Sequence, residues 1–600
     1  MENSGARALI SQLADDLGWL EDHCRRHPEQ AAQAVQLRLA SALVRNCIGP
    51  FLDNQPARPL HVAVVGGAGA GKSTVANFLS GAPIAEANPQ AGFTRHPIAY
   101  AGNGAITWAS HLGFLGPLQR LAQPSPANVD ADVYQVRPVS SDGDVFHLLK
   151  NFVVWDCPDM TTWAATGYVP RLLEVAGLAD VIVYVASDER YNDEVPTRFL
   201  ELFLQAGKPV VVCLMKMRES DAPGLIAHFQ KEVLSKMPGG AVACLAIPHL
   251  TPEQLADPVR QASRYRIPLL NQVAVLGEPP AAARRRAVRW ATNYLIAAQE
   301  RLLGVARQDL AALQNWRALV QSGKGEFEAR YRREYLTSER FHRFDQSLVR
   351  LMELLELPNV GRWVSNTLWV LRTPYRLLKG ALSKAFTRPD APTMPELPVL
   401  QAALAGWLDM LRKEAARRAS SHPVWAHIDE GFEHGLADQA QGRFEQGFRS
   451  FQLGLADEID RTARAIYEEL EKSPAKLKVL RGGKLAIDTA AIAGAVLTGG
   501  VHWGLDFVLV PLYASITHQL VELLGKQYVD SEREQARNRQ QAMVDQFVAT
   551  PLAEWLAQWP ATGGSTYERL QLALRRIPPA VQQLDALVTT KLTDPQLAAV

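Results

Sequence analysis

The sequence predicts an α/β domain built on a doubly wound, mainly parallel sheet, followed by a large all-α helical bundle. Three observations carry this. Short β-branched apolar runs alternate with helical patterns up to about residue 275. A glycine-rich loop sits between the first of those runs and the helix after it. Beyond that point strand signals stop and Ala, Leu, Arg and Gln dominate. At 600 residues the chain is too long for one hydrophobic core, so several domains are expected.

The first 57 residues read as a helical segment that packs on the bundle: Leu9, Leu13, Leu17 and Leu20 recur at helical spacing, and Ala31–Leu43 continues the pattern until Gly49-Pro50 breaks it. The α/β domain is expected over 58–275. His61–Val65 is a buried parallel strand by composition, and similar runs follow at Phe152–Trp155, Val181–Val185, Val210–Leu214 and Ala241–Ile247. Helical patterns at Ser73–Leu79, Thr197–Gln205 and Ala222–Lys236 lie between them. From 276 to 600 the chain reads as a bundle or stalk. It opens with a long Ala/Arg/Leu-rich helix after Pro279-Pro280, and further helices follow at about 325–355, 397–420, 426–472 and 507–549.

Bulk chemistry narrows the function classes. The net charge of +1 gives no global basic excess for nucleic acid, and the Arg284-Arg285-Arg286 triplet reads as a solvated helix face. Five scattered cysteines without a C-x-x-C pair argue against a disulfide framework or zinc site and fit a reducing, cytoplasmic setting. The acidic start MENSGARALISQLADD argues against an export signal. His249, His342, His502 and His518 lack ligand spacing, so the only metal expected is Mg²⁺.

The chemistry concentrates at Gly66-Gly67-Ala68-Gly69-Ala70-Gly71-Lys72-Ser73-Thr74, which satisfies G-x-x-x-x-G-K-[ST] after a strand and before a helix. Glycines let backbone N–H groups wrap phosphates, Lys72 reaches the β- and γ-phosphates, and the Ser73 hydroxyl ligates Mg²⁺. The helix N-terminus adds its positive dipole end. Asp156, at the end of an apolar strand and opening Asp156-Cys157-Pro158-Asp159, is placed to hold the Mg²⁺ water. Thr94, in the loop Thr94-Arg95-His96-Pro97, is the candidate to complete the Mg²⁺ shell and orient the attacking water. Catalytic expectations therefore fall on Lys72 and Thr94, and metal expectations on Ser73, Thr94 and Asp156.

In combined order, V-V-G-G-A-G-A-G-K-S-T-V-A-N-F-L-S-G, T-R-H-P and D-C-P-D resemble the dynamin-like large GTPases, bacterial members above all, over about residues 60–215. The resemblance implies GTP binding with Mg²⁺, GTP hydrolysis, a G domain attached to a helical bundle, pairing of G domains into a homodimer, and action at a membrane. It also implies that Lys216 of Met215-Lys216-Met217-Arg218 packs over the base. The chain departs from the family in three places, one being Ala68 and Gly69, which lack the polar side chains that assist catalysis in the family. Asp159 stands where a glycine gives its N–H to the γ-phosphate, and Arg218 stands where an acid reads guanine. Glu219 and Asp221 are the nearby acids that could substitute. A P-loop ATPase, or a nucleotide-binding scaffold that hydrolyses little, remains the rival reading.

Two segments bear on a membrane. Residues 357–388 contain no acid, carry Arg362, Arg372, Arg376, Lys379, Lys384 and Arg388, and interleave them with Trp363, Trp369 and Leu378, a pattern suited to an anionic membrane surface. The competing reading is a bundle helix facing acidic neighbours. Residues 485–516 are apolar and Gly/Ala-rich but interrupted by Gly499-Gly500 and His502, which fits either a core hairpin or a dip into one leaflet. A cytoplasmic protein, peripheral at the inner face of the membrane, is the localisation these features suggest.

Overall fold

In a computed structural model, the residues described are 2–593 apart from 27, 54–58, 87–92, 103–114, 117, 140–151, 161–164, 190, 192, 238–242, 258–259, 278, 339–340, 342, 356–394, 483–515 and 562–565. Segment 357–388, and all of 485–516 except Ile516, therefore lie outside the described residues.

The predicted parallel sheet is present and has eight strands in the order β3-β4-β2-β5-β1-β6-β7-β8. They are β1 (Leu60–Gly66), β2 (Ile98–Gly102), β3 (Gln119–Arg120), β4 (Val133–Val139), β5 (Phe152–Asp156), β6 (Val181–Ser187), β7 (Val210–Met215) and β8 (Ala243–Ile247). β5, β1, β6, β7 and β8 run parallel, and β2 joins β5 antiparallel, so β2, β4 and β3 run the other way. Sequence reasoning named five strands and missed these last three. The reason is visible in β4, where Gln135, Arg137 and Pro138 break the apolar run.

The five expected strands instead include the centre of the sheet, and β1, β5, β6 and β7 are buried along their whole length. This is why they read as continuous hydrophobic runs. The longer helices in this part are α1 (Glu2–Arg25), α2 (Ala31–Leu43), α3 (Lys72–Ser80), α4 (Ala165–Leu178), α5 (Glu194–Gln205), α6 (Ala222–Glu232), α7 (Ser263–Gly277) and the 52-residue α8 (Pro280–Tyr331). Val62, Val64, Val183, Val185 and Val211 form one apolar layer with Val75, Phe78 and Leu79 of α3 and Leu269, Leu270 and Val273 of α7. α4 packs on β1 and on α2, and α1 packs on α2.

The chain falls into two compact units, Met1–Leu310 with Thr566–Val600, and Ala311–Ser565. The break lies inside α8, whereas composition placed a boundary at 275–276. The N-terminal helices share the first unit with the sheet and with the last helix, Thr566–Thr593, which packs against α1.

Among its described residues the second unit contains helices and their connecting turns, and no strand. Its core gathers Trp316, Phe327 and Tyr331 with Trp407, Trp425, Phe444, Phe448, Phe451 and Leu556. On the helix Leu436–Glu471, Phe444, Phe448, Phe451, Leu455, Ile459, Ile466 and Leu470 are buried at spacings of three, four and seven, as an amphipathic bundle helix requires. The Trp316 Nε1–H donates to the Leu556 carbonyl at 2.7 Å, so the buried indole keeps its hydrogen bond.

Candidate nucleotide site

The site forms where β1 ends. Register places Val64 beside Asp156 of β5 and Gly66 beside Val185 of β6. The loop after β1 therefore lies at the carboxyl end of the sheet, where open α/β folds bind ligands. A Cβ on Gly66 would stand 2.1 Å from the Val185 carbonyl oxygen, so only glycine lets the strand turn there. Gly69 and Gly71 have φ of 68° and 108°, the left-handed conformation that wraps the loop before α3 begins at Lys72.

Lys72 is 8 % exposed, and its Nζ donates to the Gly67 carbonyl at 2.9 Å. Burial pulls its pKa down, and the charge of Asp159, followed by that of Asp156, opposes the shift. The Ser73 hydroxyl donates to Asp156 Oδ2 at 2.9 Å. Burial pushes the Asp156 carboxyl up to about 6, against the opposing pull of Lys72 and of the Ser73 hydrogen bond. Asp156 Oδ1 is buried without a donor. A hydroxyl and a carboxylate with one unused oxygen, both beside a phosphate cradle, suit Mg²⁺, a cation held by few protein oxygens together with phosphate and water. Among the described residues no cluster of three or more His, Cys, Asp or Glu offers a metal cage independent of a nucleotide. Gly67, Ala68, Ala70 and Thr74 complete the loop, and the Ala70 N–H donates to the Gly67 carbonyl at 3.3 Å.

Thr94 is buried, and the structure anchors the two residues after it. The Arg95 N–H donates to the Ala127 carbonyl at 2.9 Å, and the Arg95 carbonyl accepts from Arg171 Nη1 at 2.7 Å. His96 is fully buried between the Val129 carbonyl and Gln135, and burial lowers its pKa. Arg171, on α4, also holds Asp130 and Asp132 at 3.0 and 2.9 Å. Sequence reasoning missed Arg171 and Gln135. No local signal marks them, because Arg171 lies 76 residues from Arg95.

Lys216 reaches the site from the end of β7. Its Nζ donates to the Gly69 carbonyl at 2.6 Å, so its aliphatic stem spans toward the phosphate loop. It is the sole non-glycine residue with positive φ, 67°, among the described residues. Beyond it, Met217 is buried and Arg218 is exposed. The two acids that follow Arg218 are engaged elsewhere. Glu219 pairs with Arg264 at 2.5 Å, and Asp221 accepts from the Ser220 hydroxyl at 2.9 Å. The structure thus brings Lys72, Ser73, Asp156, Asp159 and Lys216 to one loop.

With this geometry in place, residues 61–216 match the protein family described as 50S ribosome-binding GTPase. The order of strand, loop, carboxylate and lysine, the sheet and this match agree: the segment is a P-loop GTPase domain, carried on a chain with a large helical region. No curated protein sequence matches the chain. Two solved structures, both described as an oligomerised bacterial dynamin pair for long-range sensing and tethering of membranes, resemble it loosely. One is 10 % identical, with 93 % of this chain and 95 % of that one covered at a TM-score of 0.32. The other is 13 % identical, with 98 % and 82 % covered at 0.27. No described helix is long and apolar enough to cross a membrane.

Proposed function

We propose that the chain is a dynamin-like GTPase that binds Mg²⁺ and GTP at Gly66–Thr74, hydrolyses GTP slowly, and uses loss of the γ-phosphate to move its helical region at a membrane surface. The observation that supports this best is the Ser73–Asp156 hydrogen bond beside the buried Lys72. In this reading Ser73 and Asp156 hold Mg²⁺, whose role is to neutralise charge between the β- and γ-phosphates. Lys72 leaves the Gly67 carbonyl for the phosphates, Thr94 completes the shell and positions water through its carbonyl, and Lys216 lies over the base. Ordering of the Thr94 loop and the Asp156 turn by the γ-phosphate is the type of switch that phosphate-dependent loops provide. G-domain pairing belongs to the same proposal.

A second reading is favoured by two observations: Asp159 is buried where a γ-phosphate would need room, and the two acids that follow Arg218, Glu219 and Asp221, are bonded to Arg264 and Ser220. It makes the chain a nucleotide-binding scaffold of low turnover or an ATPase. Calorimetry with GTP, GDP and ATP in the presence of Mg²⁺ separates the two. Tight GTP binding that disappears in Lys72→Ala supports the GTPase, and equal ATP affinity overturns its guanine preference. Co-sedimentation with anionic liposomes tests the membrane part. The triple variant R372E/R376E/K379E should stay in the supernatant, and unchanged sedimentation would reject that segment as the contact.

A further inference from the structure

The peptide between Thr94 and Arg95 is pinned from outside its own segment. Its N–H, carried by Arg95, donates to the Ala127 carbonyl at 2.9 Å. A peptide joining two non-proline residues is planar and trans, so the Thr94 carbonyl on the same plane is turned away from Ala127, and that bond fixes its direction. The next peptide plane is fixed as well, because the Arg95 carbonyl accepts from Arg171 Nη1 at 2.7 Å. Arg171 belongs to α4, the helix that follows the Asp156–Asp159 turn. Its side chain is 8 % exposed and also grips the loop that supplies Ala127, through Asp130 at 3.0 Å from Nη1 and Asp132 at 2.9 Å from Nε. One buried guanidinium thus holds both the backbone just after Thr94 and the loop that anchors it. Its planar fork of donors, bound to a carbonyl and two carboxylates, is suited to that double grip.

From these contacts we infer that Arg171 is a positioning residue for nucleotide hydrolysis, setting the direction of the Thr94 carbonyl from the helix beyond the Asp156–Asp159 turn. The inference rests on the reading above in which that carbonyl orients the attacking water, and it adds the residue that aims it. Without Arg171 the Arg95 peptide and the Ala127 loop both lose their tie to α4, and the Thr94 carbonyl is free to swing. A misplacement of about 1 Å in a reacting geometry costs up to about a hundredfold in rate. Diphosphate binding involves no attacking water and does not depend on this aim.

The test is single-turnover hydrolysis of GTP with Mg²⁺, beside titration with labelled GDP, for the full chain as wild type, Arg171→Ala, Arg171→Lys and the double variant D130N/D132N. Arg171→Ala should cut the rate by about tenfold or more and leave GDP affinity within about twofold. Arg171→Lys, whose single ammonium can hold the Arg95 carbonyl but not both acids as well, should recover part of the rate. D130N/D132N removes two exposed charges and keeps the bond to the Arg95 carbonyl, so it should cost less than Arg171→Ala. Should Arg171→Ala fail to fold, the lysine and double variants carry the same comparison of rate against affinity. A rate unchanged by these substitutions, or one that falls in step with GDP affinity, overturns the inference and leaves the nucleotide site intact. A wild type that binds GDP but hydrolyses no GTP also overturns it. Absence of nucleotide binding in the wild type overturns the site reading as well.

Discussion

The two ends of the nucleotide site are built to different standards. On the phosphate side, three features interlock: a glycine that only glycine can fill at Gly66, a buried lysine, and a serine bonded to a buried carboxylate. On the base side, one exposed lysine in a left-handed conformation reaches over to Gly69, and the acids nearby are paired with Arg264 and Ser220. Phosphate recognition needs backbone geometry and a cation, which a strand–loop–helix unit supplies by itself. Base recognition needs a precisely aimed carboxylate, and here the loop supplies a lysine stem without one. The contrast assigns affinity to the phosphates and leaves base preference weakly specified.

The largest way to break that contrast is Lys72→Ala. It removes the charge facing the phosphates, so nucleotide affinity should fall by about a hundredfold or more. Titration calorimetry checks this, and a loss of less than about fivefold would mean that the loop backbone alone holds the nucleotide.

Asp156 tests the metal half of the phosphate side, and its sign can be worked out. Its folded pKa, about 6, lies above the 3.8 of an ordinary aspartate because of burial. The native state therefore binds more protons than the unfolded chain between those values, and nucleotide-free stability falls as pH rises from about 4 to about 6 and is lowest above it. Mg²⁺ needs the carboxylate, so Mg²⁺-dependent nucleotide affinity should move the other way and weaken as pH drops through about 6. Asp156→Asn should raise the melting temperature of the nucleotide-free protein at pH 7.5 to 8, by roughly a few degrees, and abolish the Mg²⁺ dependence of binding. A melting temperature that is unchanged or lower would show that the ionised carboxylate is not strained in the empty site.

The same contrast explains what could be read from the sequence. The phosphate loop was legible because its chemistry is local: Gly66 to Ser73 fixes spacing, φ and charge within eight consecutive positions. The central strands were legible because burial on both faces removes polar residues from β1, β5, β6 and β7. What depends on distant partners was not. Arg171 is an ordinary helical arginine until the fold brings Arg95, Asp130 and Asp132 around it. β2 and β4 were invisible because each is short or polar and gains its place from its neighbours in the sheet. Asp159 was visible as a departure from pattern, but its burial was not, because that depends on the fold around the turn.

On the base side, restoring an acid is the next test in size. Arg218→Asp rebuilds the lysine–x–acid spacing at the exposed position after Met217. A carboxylate that accepts two hydrogen bonds from guanine should favour GTP over ATP by about tenfold relative to wild type, since a paired polar contact is worth roughly 1–3 kcal/mol. Competition between the two triphosphates measures it. No change would place the base elsewhere than over Lys216.

The smallest effect separates the backbone of Lys216 from its side chain. A non-glycine residue at φ 67° carries strain of about 1 kcal/mol, offset here by the 2.6 Å bond from Nζ to the Gly69 carbonyl. Lys216→Ala keeps the strain and loses the bond, whereas Lys216→Gly loses both. The glycine variant should therefore be the more stable of the two by about 1 kcal/mol, a difference of a few degrees at most in melting temperature. Both should lose the same base-side contact and bind nucleotide equally weakly. If the alanine variant is as stable as the glycine variant, the β7 turn relaxes once the ammonium lets go. Lys216 would then hold its left-handed conformation through the grip on Gly69, tying the base side to the phosphate loop through one side chain.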